Sequence, residues 1–139
     1  MTEFLQTTIL GHCVHLVLNN PEKRNAVNLE MWRGLDEKFR AFANDPNIRV
    51  VIISGAGDKA FSAGADISEF AMVRATPEDR KNYEIAVQNA FKALRDLPQI
   101  TIAMIDGVTI GGGAEIAMEC DILVASDRSR FGITPAKLG

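Results

Sequence analysis

Ile100-Thr101-Ile102-Ala103-Met104-Ile105-Asp106-Gly107-Val108-Thr109-Ile110-Gly111-Gly112-Gly113-Ala114-Glu115 is the stretch on which the reading of this chain turns. Ile100 to Ile105 is apolar enough for a buried strand. Asp106-Gly107 makes a turn. Gly111 to Gly113 form a loop running straight into a short helix, Ala114 to Glu119, and Asp121 to Ala125 reads as a strand again. A strand, a glycine loop, a helix and a strand describe parallel pairing, because the helix returns the chain to the start of the sheet. Asp106-Gly107 could instead close a hairpin. The three glycines follow too soon for a full second strand, so the crossover is preferred.

The same alternation extends in both directions. His12 to Leu18 reads as a strand with Val14, Leu16 and Leu18 on one face, ended by Asn19-Asn20-Pro21. Asn28 is placed to cap a helix running to about Ala43, with Trp32, Leu35, Phe39 and Phe42 as its apolar stripe. Asn44-Asp45-Pro46 closes it. Ile48 to Ser54 is a further strand; Val50-Val51-Ile52-Ile53 is apolar at every position, as in a strand covered on both faces. Gly55-Ala56-Gly57-Asp58 turns the chain. Thr76-Pro77-Glu78-Asp79 opens another helix, with a capping hydroxyl, proline at the first position and acids in the first turn. Tyr83, Val87, Ala90, Leu94 and Leu97 supply its buried face, and Leu97-Pro98 stops it. Arg130-Phe131 opens one more strand. No internal sequence repeat is visible. The expected fold class is α/β with mostly parallel pairing.

Bulk properties narrow the function classes. With 139 residues, 47% hydrophobic and 24% charged, the chain has the make-up of one soluble domain. No apolar run approaches the ~18 residues of a membrane span. Met1-Thr2-Glu3-Phe4 lacks the basic start and apolar run of a signal peptide, so a cytoplasmic location is expected. The net charge of −3, with mixed signs, offers no basic tract for nucleic acid or an anionic membrane. Cys13 and Cys120 form no CxxC pair and read as free thiols. His12 and His15 have no Cys, Asp or Glu at ligand spacing, so they belong to a strand and no metal site is expected.

Two loops carry chemical interest. Lys59-Ala60-Phe61-Ser62-Ala63-Gly64-Ala65-Asp66-Ile67 follows a buried strand and is built of small residues, which let another molecule approach the backbone. Val108 to Glu115 likewise follows a buried strand and enters a helix, whose first amides have no internal partner and lie at the positive end of the dipole. Such a loop can face an anion. Neither loop is GxGxxG or GxxxxGK[ST]. Composition and spacing alone leave a plain turn and an anion site as equal readings.

Asn19-Asn20-Pro21-Glu22-Lys23-Arg24-Asn25-Ala26-Val27, then Lys59 to Ile67, then Asp106 to Glu115 and Cys120-Asp121-Ile122 resemble, in order and at the right separations, the successive signatures of the enoyl-CoA hydratase/isomerase (crotonase) superfamily. The resemblance covers nearly the whole chain. It implies a crotonase-like repeated ββα spiral, residues 1–139 being the N-terminal part of a single acyl-CoA-binding domain without its C-terminal helical part. It implies an acyl-CoA substrate, with coenzyme A as part of the substrate thioester and no other cofactor, and a role in fatty acid metabolism. Ala65 and Gly112 would donate their backbone N–H groups to the thioester oxygen. Ala63 would touch the adenine through its backbone, with Lys59 and the Lys23-Arg24 stretch near the CoA phosphates. Solvated surface charge is the competing reading of these three cations. Asp66 reads as a local cap rather than a catalyst.

Glu115 takes the position of the family's first catalytic glutamate, three residues after Gly112. Its neighbours Ala114, Ile116, Ala117 and Met118 predict an apolar setting that would raise its pKa; the helix N-terminus would oppose that. The second glutamate of the family's hydratases would fall at Pro135, which transfers no proton. Two-glutamate hydration is therefore not implied, nor is the plain double-bond migration that relies on that glutamate. One-glutamate hydration, decarboxylation, dehalogenation, a reaction not yet assigned and a non-catalytic acyl-CoA-binding module remain alternatives. Family members are roughly twice as long, and the further half builds trimers and hexamers. A partner-binding fragment with Trp32, Phe39 and Phe42 outward is disfavoured by their helical spacing. The serine proteases that share a related fold need a histidine, and none lies beyond His15.

Overall fold

The computed structural model describes residues 3–133; Pro135 lies outside them. Eight strands and four helices follow in the order β1 (Leu5–Leu10), β2 (Cys13–Leu18), α1 (Leu29–Ala43), β3 (Val50–Gly55), β4 (Ala60–Ser62), α2 (Phe70–Val73), α3 (Pro77–Arg95), β5 (Ile100–Ile105), β6 (Val108–Ile110), α4 (Gly112–Glu119), β7 (Ile122–Ala125) and β8 (Arg130–Gly132). The larger sheet has the order β1-β2-β3-β5-β7, and the smaller β4-β6-β8. All pairs are parallel except the β1–β2 hairpin. β3, β5 and β7 of the large sheet are each followed by a short strand in the small one, so the unit strand–short strand recurs at β3–β4, β5–β6 and β7–β8. Asp106-Gly107 is thus neither a hairpin nor a simple turn: it passes the chain from one sheet to the other.

The helices start where local chemistry predicts. Asn28 Oδ1 accepts the amide of Met31 at 2.8 Å, and Thr76 Oγ1 accepts that of Asp79 at 3.0 Å, with Pro77 in the first turn. Each such cap stabilises its helix by about 1 kcal/mol. Met31, Trp32, Leu35, Phe39 and Phe42 of α1 and Tyr83, Ala86, Ala90, Ala93 and Leu94 of α3 are buried. They pack together over the sheet face made by Val14, Leu16, Leu18, Val51, Ile53, Ala103 and Ile105. Each large side chain so buried contributes about 1.5–3 kcal/mol relative to exposure. Trp32, Phe39 and Phe42 are therefore core and not a docking face.

Three expectations are corrected. The β3 run is covered fully on one face only: Val51 and Ile53 are buried, while Val50 and Ile52 are half-buried, and Ile100, the β5 partner of Val50, is 51% exposed. The α3 stripe is shifted, with Ala86 and Ala93 inside and Val87 only partly buried, because the small alanines let α1 approach. Gly112 and Gly113 are already helical, since Gly111 (φ 56°, ψ −123°) turns the chain before them. β1, β4 and β6 are further strands, which the sequence pattern does not mark.

Candidate active site

β4 and β6 lie side by side and parallel, with Ser62 opposite Thr109. Ala65 is three residues beyond Ser62, and Gly112 three beyond Thr109. The two strand ends therefore release the chain at neighbouring points. A Cβ built on Gly112 lies 3.9 Å from the Ala65 nitrogen, and one built on Gly64 lies 3.5 Å from the Gly112 nitrogen.

Local hydrogen bonding orients both amides. Ala65 forms an isolated parallel bridge with Val27, in which Val27 donates to Gly64 O (2.7 Å) and Asp66 donates to Val27 O (2.9 Å). A trans peptide points its oxygen and its hydrogen in opposite directions. With Gly64 O turned to Val27, the Ala65 hydrogen faces away from it. Gly112 is the first helical residue of α4, where no intrahelical acceptor exists. Neither amide donates to an acceptor among the described residues. Both residues are half-buried.

Close packing sustains this arrangement. Gly64 has φ +99°, and a Cβ there would meet Ile110 O at 3.0 Å. A Cβ on Gly113 would come within 2.4 Å of Ser62 O, so the start of α4 rests directly on β4. The Trp32 ring of α1 stands 3.4 Å from the position of a Gly112 Cβ and 5.4 Å, centroid to centroid, from Phe91 of α3.

Glu115 lies on the first turn of α4 but not in the apolar setting expected of it. Gly113, Ala114, Ile116 and Ala117 face inward, while Glu115 is exposed. Its sequence neighbours are apolar, but successive helical side chains point about 100° apart, so they do not surround it. It lines an open groove of about 420 Å³ between α3 and α4, with Gln88, Phe91, Arg95, Met118 and Glu119. Arg95 pairs with Glu119 at 3.2 Å and leaves Glu115 without an ion pair among the described residues.

The cations divide. Arg24 and Lys59 line one shallow groove of about 280 Å³, together with Glu22 and Asp58. The Ala63 amide donates to Arg24 O at 2.9 Å, bringing Ala63 to the same segment. Lys23 does not join them: its Nζ lies 3.2 Å from Asp66 Oδ2 and 2.9 Å from Ser68 Oγ. Asp66 accepts from the Ser68 amide and so caps a short 3-10 turn at Ile67–Glu69, as its sequence position implied. Burial works against its charge, but hydrogen bonds from Ser68 and Lys23 outweigh that and hold the carboxyl below its ordinary value. Glu69 is shifted the other way, raised chiefly by burial, while accepting the Leu29 amide at the start of α1.

Ser62 and Asn25 were not singled out in the sequence. Both are fully buried beside the Gly64–Ala65 segment. Asn25 has φ +58°, a conformation asparagine tolerates better than most residues. The cysteines and histidines lie apart. Cys120 is buried, which pushes its thiol up to about 12. His12 Nδ1 lies 2.7 Å from Asn47 O, and His15 Nε2 lies 2.6 Å from Ser54 Oγ.

Comparison with known proteins gives a consistent picture. A family model described as enoyl-CoA hydratase/isomerase matches residues 11–139. The chain is 40% identical over 129 residues to a short-chain-enoyl-CoA hydratase of Clostridium acetobutylicum, covering 93% of this chain and 49% of that protein. It is 34% identical over 142 residues to the mitochondrial Delta(3,5)-Delta(2,4)-dienoyl-CoA isomerase of Mus musculus, covering 96% and 43%. The crystal structure of an enoyl-CoA hydratase/carnithine racemase from Magnetospirillum magneticum superposes with a TM-score of 0.92 at 41% identity, covering all of this chain and 52% of that one. The chain spans about half the length of the curated relatives it matches. On the ordered motifs, the crotonase fold and these matches, it belongs to the enoyl-CoA hydratase/isomerase family.

Proposed function

We propose that this chain binds an acyl-CoA thioester and stabilises the enolate formed at its carbonyl through the amides of Ala65 and Gly112. The observation that carries the reading is the pair of N–H groups, uncommitted among the described residues, at equivalent positions beyond two adjacent parallel strands. Removing a proton from the α carbon of a thioester moves negative charge onto the carbonyl oxygen. Two fixed donors meet that charge with no reorganisation, each contributing on the order of 3 kcal/mol. The dipole of α4 adds to the effect at Gly112.

Glu115 is the group assigned to proton transfer. It stands on the first turn of the helix that Gly112 opens and lines the groove with Phe91 and Met118, which offers an acyl chain apolar contact. Arg24 and Lys59, sharing one groove, are assigned to the CoA phosphates, and Ala63 beside them to the adenine. Lys23 is assigned there too, and would exchange its contact with Asp66 for a phosphate. The reaction assigned is enolate chemistry of hydratase/isomerase type.

The exposure of Glu115 favours a second reading, binding without turnover. One experiment separates them. Each of a panel of acyl-CoA thioesters is incubated with the protein in D2O and analysed by mass spectrometry. Deuterium uptake at the α carbon, or a new product, supports the enzyme. Retention on immobilised acyl-CoA without either supports the binding module. Absence of retention sinks both.

A further inference from the structure

We infer that Ser62 is a positioning residue that sets the separation of the two amides, with Asn25 as its anchor. This rests on the oxyanion reading above and adds the device that holds the site to its spacing.

Ser62 ends β4 and is fully buried. Its Oγ donates to Asn25 O at 2.8 Å and accepts from Gly64 N at 3.2 Å. Gly64 is thus held at both polar groups of its backbone, its nitrogen by Ser62 and its oxygen by Val27. The Val27 contact fixes the peptide that carries the Ala65 hydrogen, and the Ser62 contact fixes the peptide immediately before it. The same residue seats the other loop: Gly113 rests against Ser62, where an added Cβ would come 2.4 Å from its O and 2.7 Å from its Cβ. One side chain and its own backbone therefore touch the segments bearing both donors.

The anchor is rigid. Asn25 Nδ2 donates to Ala56 O (2.9 Å) and Ala60 O (2.8 Å), and its Oδ1 accepts from Asn20 N (2.9 Å). All three contacts go to backbone groups: Asn20 just past β2, Ala56 just past β3 and Ala60 at the start of β4. Ser62 itself is no nucleophile: its proton goes to a carbonyl oxygen, no basic side chain among the described residues hydrogen-bonds to it, and it is fully buried.

Ser62→Ala removes both bonds with little change in volume; Ser62→Cys keeps a near-isosteric group that donates weakly. Butyryl-CoA labelled with 13C at the thioester carbonyl is the probe. Its carbonyl infrared band, its α-proton exchange in D2O and the affinity for CoA alone are measured for each protein. In the unaltered chain the band moves to lower frequency on binding. In Ser62→Ala that displacement shrinks and exchange slows about 10-fold to 100-fold, since a misplaced donor costs less than a missing one. CoA affinity stays within about 3-fold, because the bond from the Ala63 amide to Arg24 O, which ties the adenine and phosphate segments together, is not one of the two removed. Ser62→Cys falls between, and serves alone if the alanine variant does not fold. A displaced band in the unaltered protein with the same band and exchange in the variants overturns the role of Ser62 and leaves the oxyanion reading standing. No displacement in the unaltered protein overturns both.

Discussion

Gly112 permits a substitution that removes a single hydrogen while sparing the fold. It is the first residue of α4, whose N–H has no acceptor within the helix. Proline is well suited to that position, since its fixed φ matches the helix and its missing N–H costs no helical bond. The preceding residue is Gly111, which suffers least from the steric demand of a following proline. A Cβ on Gly112 meets the Trp32 ring at 3.4 Å and nothing nearer. Gly112→Pro should therefore fold, but with a ring carbon where the donor hydrogen stood. Removing one oxyanion donor costs about 2.7–4 kcal/mol of transition-state stabilisation, roughly 100-fold to 1,000-fold in kcat. Gly112→Ala is the matched control: it adds the same Cβ, keeps the N–H, and should lose less than about 10-fold. The assay is α-proton exchange or turnover on a responsive acyl-CoA, with thermal unfolding of each variant alongside. Two folded variants with equal rates would refute the assignment of Gly112 as a donor.

Gly64→Ala should destabilise the chain by about 1–3 kcal/mol in urea unfolding, because a side chain is strained at φ +99° and its Cβ presses on Ile110 O at 3.0 Å. Activity should fall further than stability, since the same Cβ lies 3.5 Å from the Gly112 nitrogen. Asp66 predicts a pH effect: its folded pKa lies below its ordinary 3.8, so its ionised form stabilises the fold above that value, and the contribution is lost as pH falls through the folded pKa. Denaturant titrations from pH 6 downward should show that acid-side loss diminished in Asp66→Asn. Glu115→Gln should slow α-proton exchange by about 100-fold or more if the carboxylate is the base, with CoA affinity unchanged in equilibrium binding.

The long elements could be read directly because each is written in a repeat long enough to show. Trp32, Leu35, Phe39 and Phe42 mark α1 over three turns, and Thr76-Pro77 marks the start of α3. Three-residue strands carry no such signal: Ala60-Phe61-Ser62 is buried throughout and reads as a loop of small residues. β1 fails for the opposite reason, since after Leu5 every residue of it is exposed and no alternation is written into it. The recurring two-strand unit left no sequence repeat because its members share positions in space and not side-chain types. In the site, Ala65 and Gly112 were named through the resemblance. The structure brings their segments together and turns Glu115 to the surface, which no pattern of neighbours could reveal.

That a donor pair of this kind is written in backbone and not in side chains has a structural reason. β4 and β6 must run parallel and adjacent for their ends to coincide, and Gly113 must be small for α4 to rest on Ser62. Given those two constraints, Ala65 and Gly112 need no chemistry of their own. Among the described residues their amides are uncommitted because one belongs to a residue bridged through the groups on either side of it, and the other begins a helix. Selection on the reaction can then act on side chains around the carbonyl, such as Glu115, without disturbing the donors. It follows that substitutions at Ala65 that keep the amide should cost far less than those at Gly64, Gly113 or Ser62, which determine where the amide points. If Ala65→Ser impaired exchange as much as Gly64→Ala in equally folded proteins, the side chain would matter and a purely backbone account would fail.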